Sequence, residues 1–205
     1  LAGSGVLVGA QDVHPEPDGP HTGDISAGML LDAGATLVEI GHQERRRDHH
    51  EDDVLVRAKV RRALDSGLRP LLCVGELGYE RGLGAAIATV ERQIRIALHD
   101  LAGDEWDRVV VAYEPAWSIG TDGTPATPAQ VAEVHDVIRN TAHDIGGAGE
   151  RVPVLYGGGV RPENTAELVA LADVDGLFVG RAALDVEVFI HLDQIIDTAL
   201  VAAKE

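Results

Sequence analysis

One cysteine, Cys73, stands alone among 205 residues. That excludes an internal disulfide and fits a reducing compartment. Aromatic residues make up only 3%, so the core must be aliphatic and rich in alanine. Lysine occurs only at Lys59 and Lys204. Basic charge is scarce overall: 17 Lys and Arg face 34 Asp and Glu, for a formal net charge of −17 and a pI of about 4.8. Such a surface argues against nucleic acid and anionic membranes as partners, because phosphate-bearing polymers need a basic face. It leaves room for a small anionic substrate held in a local pocket. No stretch approaches the roughly 18 apolar residues of a membrane span, and no basic-then-apolar signal segment opens the sequence. The expectation is a soluble cytoplasmic protein.

What is present suffices for one sizeable domain. Hydrophobic residues make up 45%, with a mean hydropathy of +0.01. Short apolar runs without alternation occur at 5–11, 36–41, 70–75, 109–113, 152–156 and 174–179, and read as strands buried on both faces. Helical patterns follow them at 27–33, 52–66, 85–101, 128–144, 162–171 and 185–203. Residues 42–46 read as the start of a charged loop. Asp24 or Ser26 caps the first helix, and Thr127 with Pro128 opens the fourth. Strands that each precede a helix require an α/β fold with a parallel sheet. The pattern leaves an open doubly wound sheet and a barrel as alternatives; six units do not close a barrel of eight.

Chemistry collects at the strand ends: Gln11, His42, Gly75-Glu76, Glu114, Gly157-Gly158 and Gly180. Ligands of parallel α/β folds bind at such ends. Glu114 ends a valine-rich strand and is followed by Pro115-Ala-Trp-Ser-Ile-Gly120, an apolar segment placed to fold over it as a lid. The glycine-rich turns before helices offer backbone N–H groups to a phosphate. A carboxylate, an imidazole and a phosphate cradle in one mouth suggest proton abstraction beside the carbonyl of a sugar phosphate. Each feature has a plainer reading: a solvated or ion-paired Glu114, a tight connection at the glycines, a buried small Cys73. The run His49-His50-Glu51-Asp52-Asp53 fits a solvated helix start better than a metal site.

Together these residues resemble the triosephosphate isomerase family. Ala112-Tyr-Glu-Pro-Ala-Trp-Ser-Ile-Gly-Thr121 is similar to its base-and-lid motif, and Ile40-Gly-His-Gln-Glu-Arg-Arg46 to its histidine motif. Leu72-Cys-Val-Gly-Glu76, Tyr156-Gly-Gly158 and Asp175-Gly-Leu-Phe-Val-Gly180 fall in the family's order, and His21-Thr-Gly-Asp-Ile-Ser26 resembles its dimer loop. The resemblance implies a (β/α)8 TIM barrel, with these six strands as its third to eighth, in a single domain over 1–205. It implies Glu114 as base, a neutral His42 polarising the carbonyl and Glu44 as a supporting carboxylate. The lid would be Pro115, Ala116, Trp117, Ser118, Ile119, Gly120 and Thr121. Gly120, Gly158, Gly159 and Gly180 would hold the phosphate, with Arg181 beside them. Thr22, Asp24 and Arg45 would lie at a homodimer interface. No cofactor and no metal is implied, and the substrate would be a small phosphorylated sugar.

Departures from the family pattern bear on the expectation. The family's Asn-x-Lys on its first strand has no counterpart, and an N-terminal segment carrying two βα units is expected beyond the given sequence. Gln43 and Gly159 stand where the family usually has serine, and Arg181 replaces a glycine. The leading reading is an aldose–ketose isomerase interconverting dihydroxyacetone phosphate and glyceraldehyde 3-phosphate. A four-carbon substrate such as erythrulose phosphate is the alternative, and a catalytically impaired phosphometabolite binder the second. A Schiff-base aldolase is disfavoured, since Lys59 sits on a helix and Lys204 in the tail.

Overall fold

The computed structural model describes residues 4–120, 123–146 and 148–202. Six strands form one sheet: β1 (Gly9–Ala10), β2 (Leu37–Ile40), β3 (Arg69–Val74), β4 (Val110–Tyr113), β5 (Val154–Tyr156) and β6 (Gly176–Leu177). Every neighbouring pair is parallel. The order across the sheet is the order along the chain. A doubly wound sheet reverses its strand order at a switch point; this sheet has no reversal, so the barrel-type alternative holds.

Among the described residues eight α-helices cross over between or follow the strands: α1 (Ala27–Asp32), α2 (Gln43–Asp48), α3 (Asp53–Ser66), α4 (Gly78–Gly82), α5 (Ala86–Leu98), α6 (Pro128–Gly146), α7 (Pro162–Val169) and α8 (Val186–Ala202). Local chemistry sets their ends. Ser26 Oγ accepts the Met29 N–H at 3.2 Å, so Ser26 and not Asp24 caps α1. Asp52 accepts the Leu55 N–H at 2.8 Å and opens α3, and Gly67 at φ +94° closes it in the left-handed region. Thr127 and Gln130 cap α6 reciprocally.

The period of two along the strands sorts side chains onto two faces. Val38, Ile40, Leu72, Val74, Val111, Tyr113, Val154 and Tyr156 join the large core between sheet and helices. Leu71, Cys73, Val110 and Ala112 form a smaller cluster on the opposite face, with Leu37, Leu155 and Phe178 packed against it. Cys73 is buried there and forms no disulfide.

Three expectations need correction. Residues 5–11 do not form a buried strand: only Gly9–Ala10 pairs, and Val6, Leu7 and Val8 are exposed. This is the edge of the sheet, with β2 its one neighbour. Residues 42–46 are not a loop; they begin α2. The His42 ring caps that helix by accepting the Glu44 N–H at Nδ1, 3.2 Å away. Glu51 is not solvated. It lies buried between Lys59 Nζ and Arg45, 2.7 Å from each, and Lys59 itself is buried, 2.5 Å from Asp12. Among the described residues no helix is long and apolar enough to cross a membrane.

Candidate active site

One cavity of about 990 Å³ opens at the C-terminal ends of the strands. Its wall runs from Gln11 and Asp12, after β1, to Phe178 and Gly180, after β6. The two outermost strands face the same space, so the sheet curls around it.

Glu114 follows Val110 and Ala112 by the same alternation and points to the concave side. It is buried, and its backbone N–H donates to the Val74 carbonyl at 2.7 Å. Oε1 lies 3.1 Å from His42 Nε2. Oε2 has no hydrogen-bond partner among the described residues. A buried carboxylate with one free oxygen is a costly arrangement that suits proton transfer better than stability. Gly75, at the end of β3, makes room for it: a Cβ there would stand 2.0 Å from the Glu114 carbonyl oxygen. Gln93 holds the Gly75 N–H and C=O at 2.8 and 3.0 Å, and Gln43 adds a donor to the same C=O at 3.2 Å.

Two forces act on His42. The contact with Glu114 pulls its pKa up to about 8, against the effect of burial. The Glu44 N–H works the other way. It needs a lone pair on Nδ1, which the imidazolium lacks, and a helix N-terminus disfavours a cation. With Nδ1 accepting, the neutral ring carries its proton on Nε2, facing Glu114. The expected neutrality of His42 is therefore opposed in this arrangement by the nearby carboxylate.

The segment expected to serve as a lid is tied to the end of β3. Trp117 Nε1 donates to Glu76 Oε1 at 2.9 Å, and the Ala116 N–H donates to the Glu76 carbonyl at 3.0 Å. Glu76 is fully buried, held further by Tyr113 Oη at 3.2 Å and Arg81 Nε at 2.8 Å. Ser118 is buried against the opposite wall. Its Oγ accepts the Gly159 N–H at 2.9 Å and lies 3.4 Å from Tyr156 Oη. Arg181 donates to the Gly120 carbonyl.

The structure brings together Glu114, His42, Glu44, Ser118, Ile119, Gly120, Gly158, Gly159, Gly180 and Arg181 around one cavity. Glu44 contributes its backbone rather than its carboxylate, which is 4.0 Å from Nδ1 and exposed. Pro115, Ala116 and Trp117 form the lid's root, and Thr121 lies outside the described residues. Asp24 and Arg45 line a second cavity of about 290 Å³, and Thr22 is exposed on the same loop as Asp24. Asp12, Glu39, Glu44 and Glu114 line the β1–β4 side of the main cavity, and Arg161 and Arg181 the glycine-turn side. An anion is directed by charge to the latter.

Sequence reasoning missed Glu39, Glu76 as the lid's anchor, and Tyr156. Glu39 carried a usable signal: a lone carboxylate in the apolar strand Leu37–Ile40, at the same parity as Leu37. Burial lifts its pKa to about 7; His42 opposes this, while Glu114, Glu44 and Asp12 add to it.

The family model described as triosephosphate isomerase matches residues 1–196. The chain is 47% identical over 193 residues to a triosephosphate isomerase of Xanthobacter flavus, covering 94% of this chain and 76% of that one. It is 48% identical to one from Xanthobacter autotrophicus, covering 94% and 75%. A Roseiflexus triosephosphate isomerase is 44% identical over 194 residues, covering 94% and 76%.

Proposed function

This chain belongs to the triosephosphate isomerase family, and from that premise we propose that it interconverts dihydroxyacetone phosphate and glyceraldehyde 3-phosphate. The observation that carries the proposal is the buried Glu114 carboxylate, one oxygen 3.1 Å from His42 and the other unpartnered, in a cavity rimmed by glycine turns.

The chemistry follows from the groups present. Glu114 takes a proton from the carbon beside the carbonyl and returns it to the neighbouring carbon. Negative charge then develops on the substrate oxygens. The Nε2–H of His42 faces it, and this donor is preorganised because Nδ1 is held by the α2 N-terminus. A substrate that enters between the two residues breaks their contact. Once Glu114 has taken the proton, its charge no longer raises His42, and the ring serves as a neutral donor. The amides of Gly120, Gly158, Gly159 and Gly180, with Arg181, hold the phosphate. Residues 115–120 close over it and keep water from the enediolate.

We assign the six strands to the third to eighth places of an eight-stranded barrel and residues 1–205 to a single domain. Their parallel, sequential order supports the assignment. We assign Thr22, Asp24 and Arg45 to the contact between two copies of the chain; the exposure of the first two supports it.

The test is a coupled assay with dihydroxyacetone phosphate, run beside solvent-deuterium exchange into the substrate. Turnover with exchange is expected. Binding of the substrate without exchange would leave a phosphometabolite binder, and turnover of erythrulose phosphate alone would move the activity to the four-carbon substrate.

A further inference from the structure

The lid meets the glycine turn at one amide. Ser118, 2% exposed, accepts the Gly159 N–H at 2.9 Å, and the Tyr156 hydroxyl stands 3.4 Å behind it. The packing here is close: a Cβ on Gly158 would lie 2.8 Å from Ser118 Oγ and 2.0 Å from Tyr156 Oη. Gly158, Gly159 and Ser118 line the same cavity, at the end where Arg161 and Arg181 favour an anion. The turn precedes α7, which starts at Pro162 with Arg161 as its N-cap, so it lies near the positive end of that helix. One N–H makes one strong hydrogen bond. A phosphate oxygen and Ser118 Oγ therefore exclude each other at Gly159.

We infer that Ser118 is a positioning residue that occupies the Gly159 amide in the ligand-free protein and yields it to the incoming phosphate. This deepens the proposed function and rests on its reading of the 157–159 turn as the anion cradle. Part of the phosphate's attraction is then offset by breaking the Ser118 contact. The lid keeps other ties, among them Ala116 and Trp117 to Glu76 and Gly120 to Arg181, so losing the serine hydroxyl does not detach it.

The experiment titrates inorganic phosphate into the 15N-labelled protein and follows the Gly159 amide resonance, in wild type and in Ser118→Ala. The broken contact is between neutral groups, so Ser118→Ala is expected to bind phosphate roughly two- to ten-fold more tightly. Ser118→Thr, which keeps the hydroxyl, is expected to return to wild-type affinity. General damage to the site would weaken binding and cannot produce this gain. Should Ser118→Ala fail to fold, Ser118→Gly removes the same group. Equal or weaker phosphate binding in the folded variant overturns the inference, as does a gain in Ser118→Thr as large as in Ser118→Ala. If phosphate leaves the Gly159 amide unmoved in every protein, the cradle reading itself fails and takes the inference with it.

Discussion

His42 Nε2 and Glu114 Oε1 stand 3.1 Å apart, and each residue is brought there by a different device. Glu114 is aimed by strand alternation, His42 by capping α2, whose Glu44 N–H donates to its other nitrogen. The carboxylate and the imidazole are thus set by main-chain geometry on two separate strand ends.

Glu114→Gln keeps the shape and removes the charge. Turnover of dihydroxyacetone phosphate is expected to fall by about 10²–10⁴-fold, the usual span for losing a positioned base. The same variant removes the main cause of the raised His42 pKa, so the imidazole midpoint followed by NMR is expected to drop from about 8 toward or below 6.5. In wild type the folded His42 holds its proton more tightly than the unfolded one. Its contribution to stability is full below pH 6.5 and is lost as pH rises through about 8.

Glu39 acts in the same sense, in a lower pH window. Its carboxyl is raised to about 7 by burial, so the folded protein binds a proton there that the unfolded chain releases near 4.5. Stability is expected to fall as pH rises from 4.5 to 7, by an amount on the order of 3 kcal/mol for a shift of this size. Glu39→Leu should flatten that slope. Urea melts at pH 5 and pH 8 check it: a gain in the variant confined to pH 8 is the expected outcome.

His135 on α6 is fully buried, with Nδ1 2.8 Å from the Asp173 carbonyl and Nε2 unpartnered. Burial pushes its pKa down to about 4. The unfolded histidine takes up a proton near 6.5, the folded one only near 4, so stability is full above 6.5 and is lost as pH falls through that window. His135→Phe should weaken the acid sensitivity between pH 6.5 and 4, read as a shallower fall in the urea midpoint.

Lys59 makes 2.5 and 2.7 Å contacts with Asp12 and Glu51 in a buried network, and Glu51 Oε2 already lacks a partner. Lys59→Met leaves these acids without their ammonium. Breaking one side of a buried pair costs about 3–5 kcal/mol, so a large drop in the urea midpoint is expected. A change below about 1 kcal/mol would mean that Arg45 alone neutralises the cluster.

Much of this arrangement was readable from residue order. Valine-rich runs ending in His42 and Glu114, and glycines leading into helices, marked strand ends where ligands gather. The order of strands was not readable, because identical βα units build both open and curled sheets. Helix α2 was hidden because Gln43–Asp48 carries no apolar stripe; tertiary bonds such as Arg46 Nη2 to the Cys73 carbonyl at 3.4 Å hold it instead. The exposure of Val6, Leu7 and Val8 was hidden for the converse reason: an apolar run promises burial only where something packs on it. Glu76 looked like one more strand-end acid, and only the side chains of Tyr113, Arg81 and Trp117 converging on it reveal an anchor.

The bare α-carbon at position 75 carries a wider consequence. Neighbouring backbones touch there so closely that even one methyl has nowhere to go. The acid's aim is therefore inherited from how two adjacent strands nest, with no slack to absorb a misfit. Sequence drift on the helix side of β3 or β4 would be felt first as poorly directed chemistry, well before the domain loosened enough to melt.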